Sequence, residues 1–169
     1  MPKAYKITSD PFFVNGNVTE SAVDTFTQTQ ISLPLDSLNR EGVLIHGVYF
    51  TSSEPNAVLG ANTSQRVQLT STSKTGLVNA NDANLVARQE KFIYSGTAEF
   101  APITWDFIGQ TAPYGIDDNL MIVATDDIFL GIQGNQNTSP RSAQVRVVCS
   151  RIQLEASAYA ALVTNELSS

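Results

Sequence analysis

The 169-residue chain carries 10 Lys and Arg against 16 Asp and Glu, a net charge of −6, and only 15% of its residues are charged, where about 25% is usual for a globular domain. Ser, Thr, Asn and Gln fill the gap with 16, 16, 12 and 10 residues. Clustered Lys and Arg for a nucleic-acid surface are missing, a charged coiled coil is excluded by the same scarcity, and the 42% hydrophobic content suits one domain with a real core rather than a disordered chain.

The N-terminus, Met1-Pro2-Lys3-Ala4-Tyr5-Lys6, has a basic start with no apolar stretch of a secretion signal behind it. Pure apolar runs such as Leu120–Ala124 are too short to span a bilayer. A soluble protein made in the cytosol is therefore expected. Residues 1–25 read as an N-terminal arm, with a turn signal at Asn15-Gly16-Asn17.

From residue 26 the pattern is β. Ile31, Leu33 and Leu35 alternate in a Thr-rich run that Pro34 ends or places at an edge. Val43–Phe50 is a more continuously apolar run, as in a strand buried on both faces. Arg66–Thr70 alternates again, and Phe92–Tyr94, Ala98–Phe100 and Pro102–Phe107 are short strand candidates. Between them, Asn79–Ala87 fits either a short helix capped near Asn81 or Asp82, or a long loop. Leu120–Thr125 and Ile128–Ile132 flank Asp126-Asp127 and read as a hairpin.

The last strand candidate, Ala143–Ala156, is the clearest. Val145, Val147 and Cys149 share one parity, and Ile152, Leu154 and Ala156 the other, which predicts an extra residue near Cys149–Arg151. In the tail, Tyr159, Leu162, Val163 and Glu166 have helical spacing, so residues 157–169 read as a short helix or arm. About eight strands, long loops and little helix predict an all-β antiparallel sandwich. The count suits a single eight-stranded jelly roll over 26–156 rather than an immunoglobulin-type domain.

Residues that carry chemistry are sparse. His46 is the only histidine and Cys149 the only cysteine, so no disulfide and no structural zinc site can form. No Gly-x-Ser-x-Gly elbow accompanies His46, which reads as a sheet-face histidine. The acidic doublets Asp117-Asp118 and Asp126-Asp127 have the chemistry of calcium ligands or of a glycosidase carboxylate pair. Turn formation accounts for them without a ligand. Trp105 with Gln110 and Tyr114 could form a sugar platform, although Trp105 and Phe107 also alternate as core residues would. Three glycosylation-type triplets, at Asn17, Asn62 and Asn137, compare with about two expected by chance. Arg141, Arg146 and Arg151 lie close in sequence, and an extra residue between the last two would bring them to one face, suited to carboxylates on a neighbouring subunit.

In strand count, Thr/Asn/Gln-rich loops and the lack of a catalytic constellation, residues 26–156 resemble a single jelly-roll coat protein of a small icosahedral virus. Val145–Glu155, running into Ala158–Leu162, resembles the final strand of such a protein with a C-terminal appendage. The first 25 residues hold only Lys3 and Lys6 against Asp10, Glu20 and Asp24. They depart from the basic arm with which many RNA-virus coat proteins gather their genome. The resemblance then points to tailless viruses of bacteria or archaea. It implies a non-enzymatic virion protein made in the host cytoplasm, without cofactor or direct nucleic-acid contact. Its partners would be its own copies and other capsid proteins, with an internal viral membrane nearby. Arg141, Arg146, Arg151, Tyr159 and Leu162 are the expected subunit contacts. The alternative is a glycan-binding or adhesin-like sandwich using Trp105, Tyr114 and the Asp117-Asp118 loop.

Overall fold

The computed structural model describes residues 4–95, the backbone of 103–108, and 120–168. In chain order the strands are β1 (Tyr5–Ile7), β2 (Phe12–Thr19), β3 (Thr27–Ser32), β4 (Glu41–Ser52), β5 (Thr63–Thr70), β6 (Leu85–Tyr94), β7 (Ile103–Ile108), β8 (Met121–Val123), β9 (Asp127–Asn135) and β10 (Ser142–Leu154), followed by helix α1 (Ala156–Leu167). They form two antiparallel sheets. In the first, β1 and β2 lie end to end along one edge of β10, with β4 and then β8 beyond its other edge. The second has the order β3-β9-β5-β6-β7.

The pairings nest. β5 pairs β6, β4 pairs β8, β3 pairs β9 and β2 pairs β10, each pair enclosing the one before it in sequence. A ribbon of nested antiparallel pairs rolled across two sheets is a jelly roll. Its eight strands are all present, and β1 and β7 extend the sheets at their edges.

The core lies between the sheets. Val43, Ile45 and Val48 of β4 and Val145 and Val147 of β10 face Val67 and Leu69 of β5 and Ile128, Leu130 and Ile132 of β9. The period-2 alternation of β9 and β10 is thus a direct record of one buried face. A second, smaller cluster sits on the opposite face of the first sheet. There Leu44, Ala124, Ile152 and Leu154 are covered by Ala158, Tyr159, Leu162 and Val163 of α1. The helix begins at the end of β10 and folds back over the sheet.

This second cluster corrects the parity argument for β10. Its pairing with β2 runs without interruption from Ser142 to Cys149, and its pairing with β4 from Cys149 to Gln153, so β10 holds no extra residue. The register shift lies opposite Val148 and Cys149, and the additional residue is His46 of β4. Ile152 and Leu154 are buried because α1 covers the outer face there, not because the strand changes parity. It follows that Arg146 and Arg151 lie on opposite faces of the sheet.

Three further expectations change. Phe12–Thr19, assigned from sequence to an arm, is a full strand of the sandwich. Gly16 there faces the other sheet, where a Cβ would overlap Ile31 Cδ1 and lie 2.7 Å from its Cγ1. The glycine marks a close approach between layers rather than a turn. Residues around Asp126-Asp127 form no hairpin, since β8 pairs β4 in the first sheet and β9 pairs β3 and β5 in the second. The segment is a corner between layers, fixed by the Leu33 amide donating to the Asp126 carbonyl at 2.6 Å. Of the two options for Asn79–Ala87, the loop holds: the Asp82 carboxylate accepts from the Asn84 amide at 2.9 Å, a local turn that competes with helix, and Leu85 already belongs to β6. The strand candidate at Ala98–Phe100 lies outside the described residues.

One buried carboxylate anchors α1. Glu166, 3% exposed, accepts from the amides of Ala124 (3.2 Å) and Thr125 (2.9 Å) where the chain leaves β8. Desolvation pushes its carboxyl above the ordinary value of 4.5, and the hydrogen bonds from Thr125 and Ala124 offset part of that rise.

Two outcomes are expected. Gly16→Ala overpacks the layer contact and should cost roughly 1–2 kcal/mol in denaturant unfolding. Glu166→Ala leaves the buried Ala124 amide and the half-buried Thr125 amide without their acceptor and should cost roughly 2–3 kcal/mol. Because the folded carboxyl holds its proton more tightly than the unfolded one, stability should fall as pH rises from about 4.5 through the raised folded value. Thermal unfolding of Glu166→Gln across that window should lack this component.

Candidate assembly surface

The outer face of the first sheet has two halves. One is sealed by α1. The other, formed by β2, the first part of β10 and the end of β4, is an open depression of about 930 Å³. Outward parity places Phe13 and Asn15 of β2, Tyr49 and Thr51 of β4, and Gln144, Arg146 and Val148 of β10 on it. Phe13 is 60% exposed and Tyr49 58%. The Arg146 guanidinium lies 5.1 Å from the centre of the Phe13 ring, and its Nε donates to Asn15 Oδ1 at 3.4 Å. Arg146 is the only charged residue lining the depression, and no Lys, Asp or Glu joins it among the described residues. Aromatic residues and Arg without Lys, Asp or Glu make the composition typical of the buried centre of a protein–protein contact.

The remaining candidates fall elsewhere. Arg141 is committed within the chain: Nη1 donates to the Glu54 carbonyl at 2.7 Å, Nε to the Ser139 carbonyl at 2.9 Å, and Nη2 to Ser139 Oγ. It completes a polar network at one end of the sandwich. There Glu20 accepts from the amides of Gly134 (2.6 Å) and Arg141 (2.7 Å), and Asn137 Nδ2 donates to the Ser64 carbonyl (2.9 Å). Asn137, the centre of one glycosylation-type triplet, is buried in this network. Arg151 faces the interior, 5.8 Å from the Phe12 ring centre, with its Nε buried and without a hydrogen-bond partner among the described residues. Tyr159 and Leu162 pack inward under α1.

Asp127 accepts from Ser32 Oγ at 3.0 Å, and Asp126 is exposed next to it. Among the described residues no three His, Cys, Asp or Glu side chains come together as a metal site would require. Asp117, Asp118, Gln110 and Tyr114, and the side chain of Trp105, lie outside the described residues.

The bulge gives His46 a partner that its sequence context did not reveal. Its Nε2 lies 2.8 Å from Ser150 Oγ. Ser150 is 2% exposed, so this Ser–His pair has no substrate-accessible oxygen and acts as a cross-strand contact at the bulge. Cys149 beside it is fully buried, and desolvation pushes its thiol from 9.0 up to about 11.

Phe13 and Tyr49 were not singled out from sequence. Phe13 is hidden in a Phe-Phe doublet whose first member faces the core, and Tyr49 in the apolar run that suggested burial on both faces. With the sheet register known, both turn outward.

No family model matches the sequence, and no curated protein does. Among solved structures, VP1 of chimpanzee polyomavirus is similar over 88% of this chain and 98% of its own, at 7% identity and a TM-score of 0.43. VP1 of the trichodysplasia spinulosa-associated polyomavirus is similar over 89% and 97%, at 6% identity and 0.34. A chain of desmodium yellow mottle tymovirus is similar over 93% and 96%, at 12% identity and 0.26.

The Cys149 environment sets a simple expectation. A thiol-specific chromogenic reagent should leave the folded protein almost unlabelled at neutral pH and label one thiol per chain in denaturant. Rapid labelling without denaturant would contradict the burial described.

Proposed function

We propose that this chain is a shell subunit whose work is self-association: a capsid protein of a tailless icosahedral virus, of the kind that infects bacteria or archaea. The carrying observation is the open half of the first sheet's outer face, an aromatic and arginine-bearing depression of interface-like composition on a jelly roll. Jelly rolls serve in capsids, lectins and cupins. The cupin route requires several metal-binding histidines, and the chain has one. The lectin-like reading rests on Trp105, Tyr114 and Asp117-Asp118, whose side chains lie outside the described residues.

Low charge supports the shell reading. Subunits with few ionised groups repel one another little when packed side by side. The net charge of −6 and the scarcity of Lys and Arg argue that the subunit meets protein neighbours, its own copies and other shell components, rather than bare genome. The same reading places it in the virion after synthesis in the host cytoplasm. A membrane beneath the shell is compatible with it.

Sedimentation velocity over a hundredfold concentration range, followed by electron microscopy, tests the proposal. Closed or sheet-like assemblies that grow with concentration are expected. A monomer that persists at the highest concentration would overturn it.

A further inference from the structure

The molecule has a second conspicuous apolar feature, at the opposite end of the same sheet. Between β3 and β4 a single 3₁₀ turn, Ser37–Asn39, presents Leu38 at 93% exposure. This turn is held in place. The Asp36 carboxylate accepts from the Leu38 amide at 3.0 Å and from Asn39 Nδ2 at 2.6 Å, and the Glu41 carboxylate accepts from the Asp36 amide at 2.9 Å. Arg40 closes it in the left-handed conformation, φ 55°. An apolar side chain almost wholly in water, on a turn fixed by three side-chain hydrogen bonds, is a preformed knob.

The depression described above is the candidate socket. It offers Phe13, Tyr49 and Val148 as apolar walls and Arg146 as its only charge. The knob carries Asp36, exposed beside Leu38, with Arg40 at the end of the turn and Glu41 behind it, a net charge of −1 opposite in sign to Arg146. Knob and socket cannot meet within one chain. Glu41, next to the knob, pairs with Gln153 of β10, whereas Tyr49 in the socket pairs with Arg146 of the same strand. Seven residues of strand separate them, about 23 Å at roughly 3.3 Å per residue.

We propose that Leu38 of one copy docks into the Phe13–Tyr49–Val148 socket of a second copy, with Asp36 meeting Arg146. The inference rests on the shell reading and deepens it by naming the contact. The surfaces differ, so the interface is heterologous. Each copy keeps one knob and one socket free for further copies, and repetition gives a ring where the rotation closes and an open array where it does not. The two features face the same aqueous phase in the monomer, so joining them removes both from water at once. Leu38→Asp leaves the socket intact, and Phe13→Ser leaves the knob intact. Both positions are exposed, so far-ultraviolet circular dichroism and thermal unfolding should match the parent protein.

The full-length proteins are compared by sedimentation velocity, alone and mixed. The parent is expected to assemble and each variant alone to remain monomeric. An equimolar mixture should form a 1:1 dimer and grow no further, because one knob and one socket remain functional between the two chains. Arg146→Glu should weaken parent assembly at least tenfold in midpoint concentration. If the parent assembles and either variant alone does so equally well, the docking proposal fails while the shell reading stands. The docking pair is likewise wrong if both variants are monomeric and their mixture stays monomeric. A parent that never assembles overturns both.

Discussion

Ser142–Leu154 hydrogen-bonds along both of its edges, to β2 and β1 on one side and to β4 on the other. This thirteen-residue strand is the constraint on which the first sheet depends. Its inward residues build the main core, and two of its outward residues, Ile152 and Leu154, build the small cluster under α1. Its remaining outward residues leave the depression open. A single strand with strict alternation therefore serves three environments, and the only irregularity in its neighbourhood is borne by its partner, at His46. Leaving the bulge to β4 keeps β10 in continuous register with β2.

The abundance of uncharged polar side chains acquires a structural meaning in the loops. Gln28 accepts from the Lys74 amide at 2.9 Å and donates to Ser73 Oγ at 2.8 Å. Gln68 accepts from the Val78 amide at 2.8 Å and donates to the Gly76 carbonyl at 3.1 Å. Two strand amides thus secure a long connection against the second sheet. Asn56 and Asn137 do the same at the β9–β10 turn. An amide side chain both donates and accepts, so it can replace a backbone partner where a loop cannot join a ladder. Ionised groups would demand a counter-charge in such half-buried places. Where the fold does bury a carboxylate, at Glu20 and Glu166, the oxygens receive backbone amides.

Most of the fold was legible in the sequence because it rests on local alternation. β9 and β10, with Ile128, Leu130 and Ile132 and with Val145 and Val147, declare one buried face each, and the tail declares its helix. What was not legible depends on pairing across distance. β2 was obscured by Gly16, where the missing side chain makes room for Ile31 of the other sheet. β8 and β9 resemble a hairpin because two residues separate two apolar runs, yet sheet membership is decided by β4 and β3, far away in sequence. The candidate site was less legible still. Phe13 and Tyr49 are apolar residues beside apolar residues, and only the register shows that they turn toward water. Arg146 is legible in the sequence as a candidate contact, but its spacing suggests a face shared with Arg151, which the unbroken register of β10 puts on the other side.

The nested pairing also orders events in time. β5 and β6 are neighbours along the chain and can close first at small entropic cost, whereas Phe12 and Cys149, partners in the outermost pair, are 137 residues apart. On a ribosome, β2 emerges well before its partner. Until β10 follows, the inward side chains of β2, Phe12, Val14 and Val18, lack the sheet that covers them. Until β10 arrives the nascent chain therefore carries an unsatisfied strand edge, a template on which crowded copies can pair wrongly.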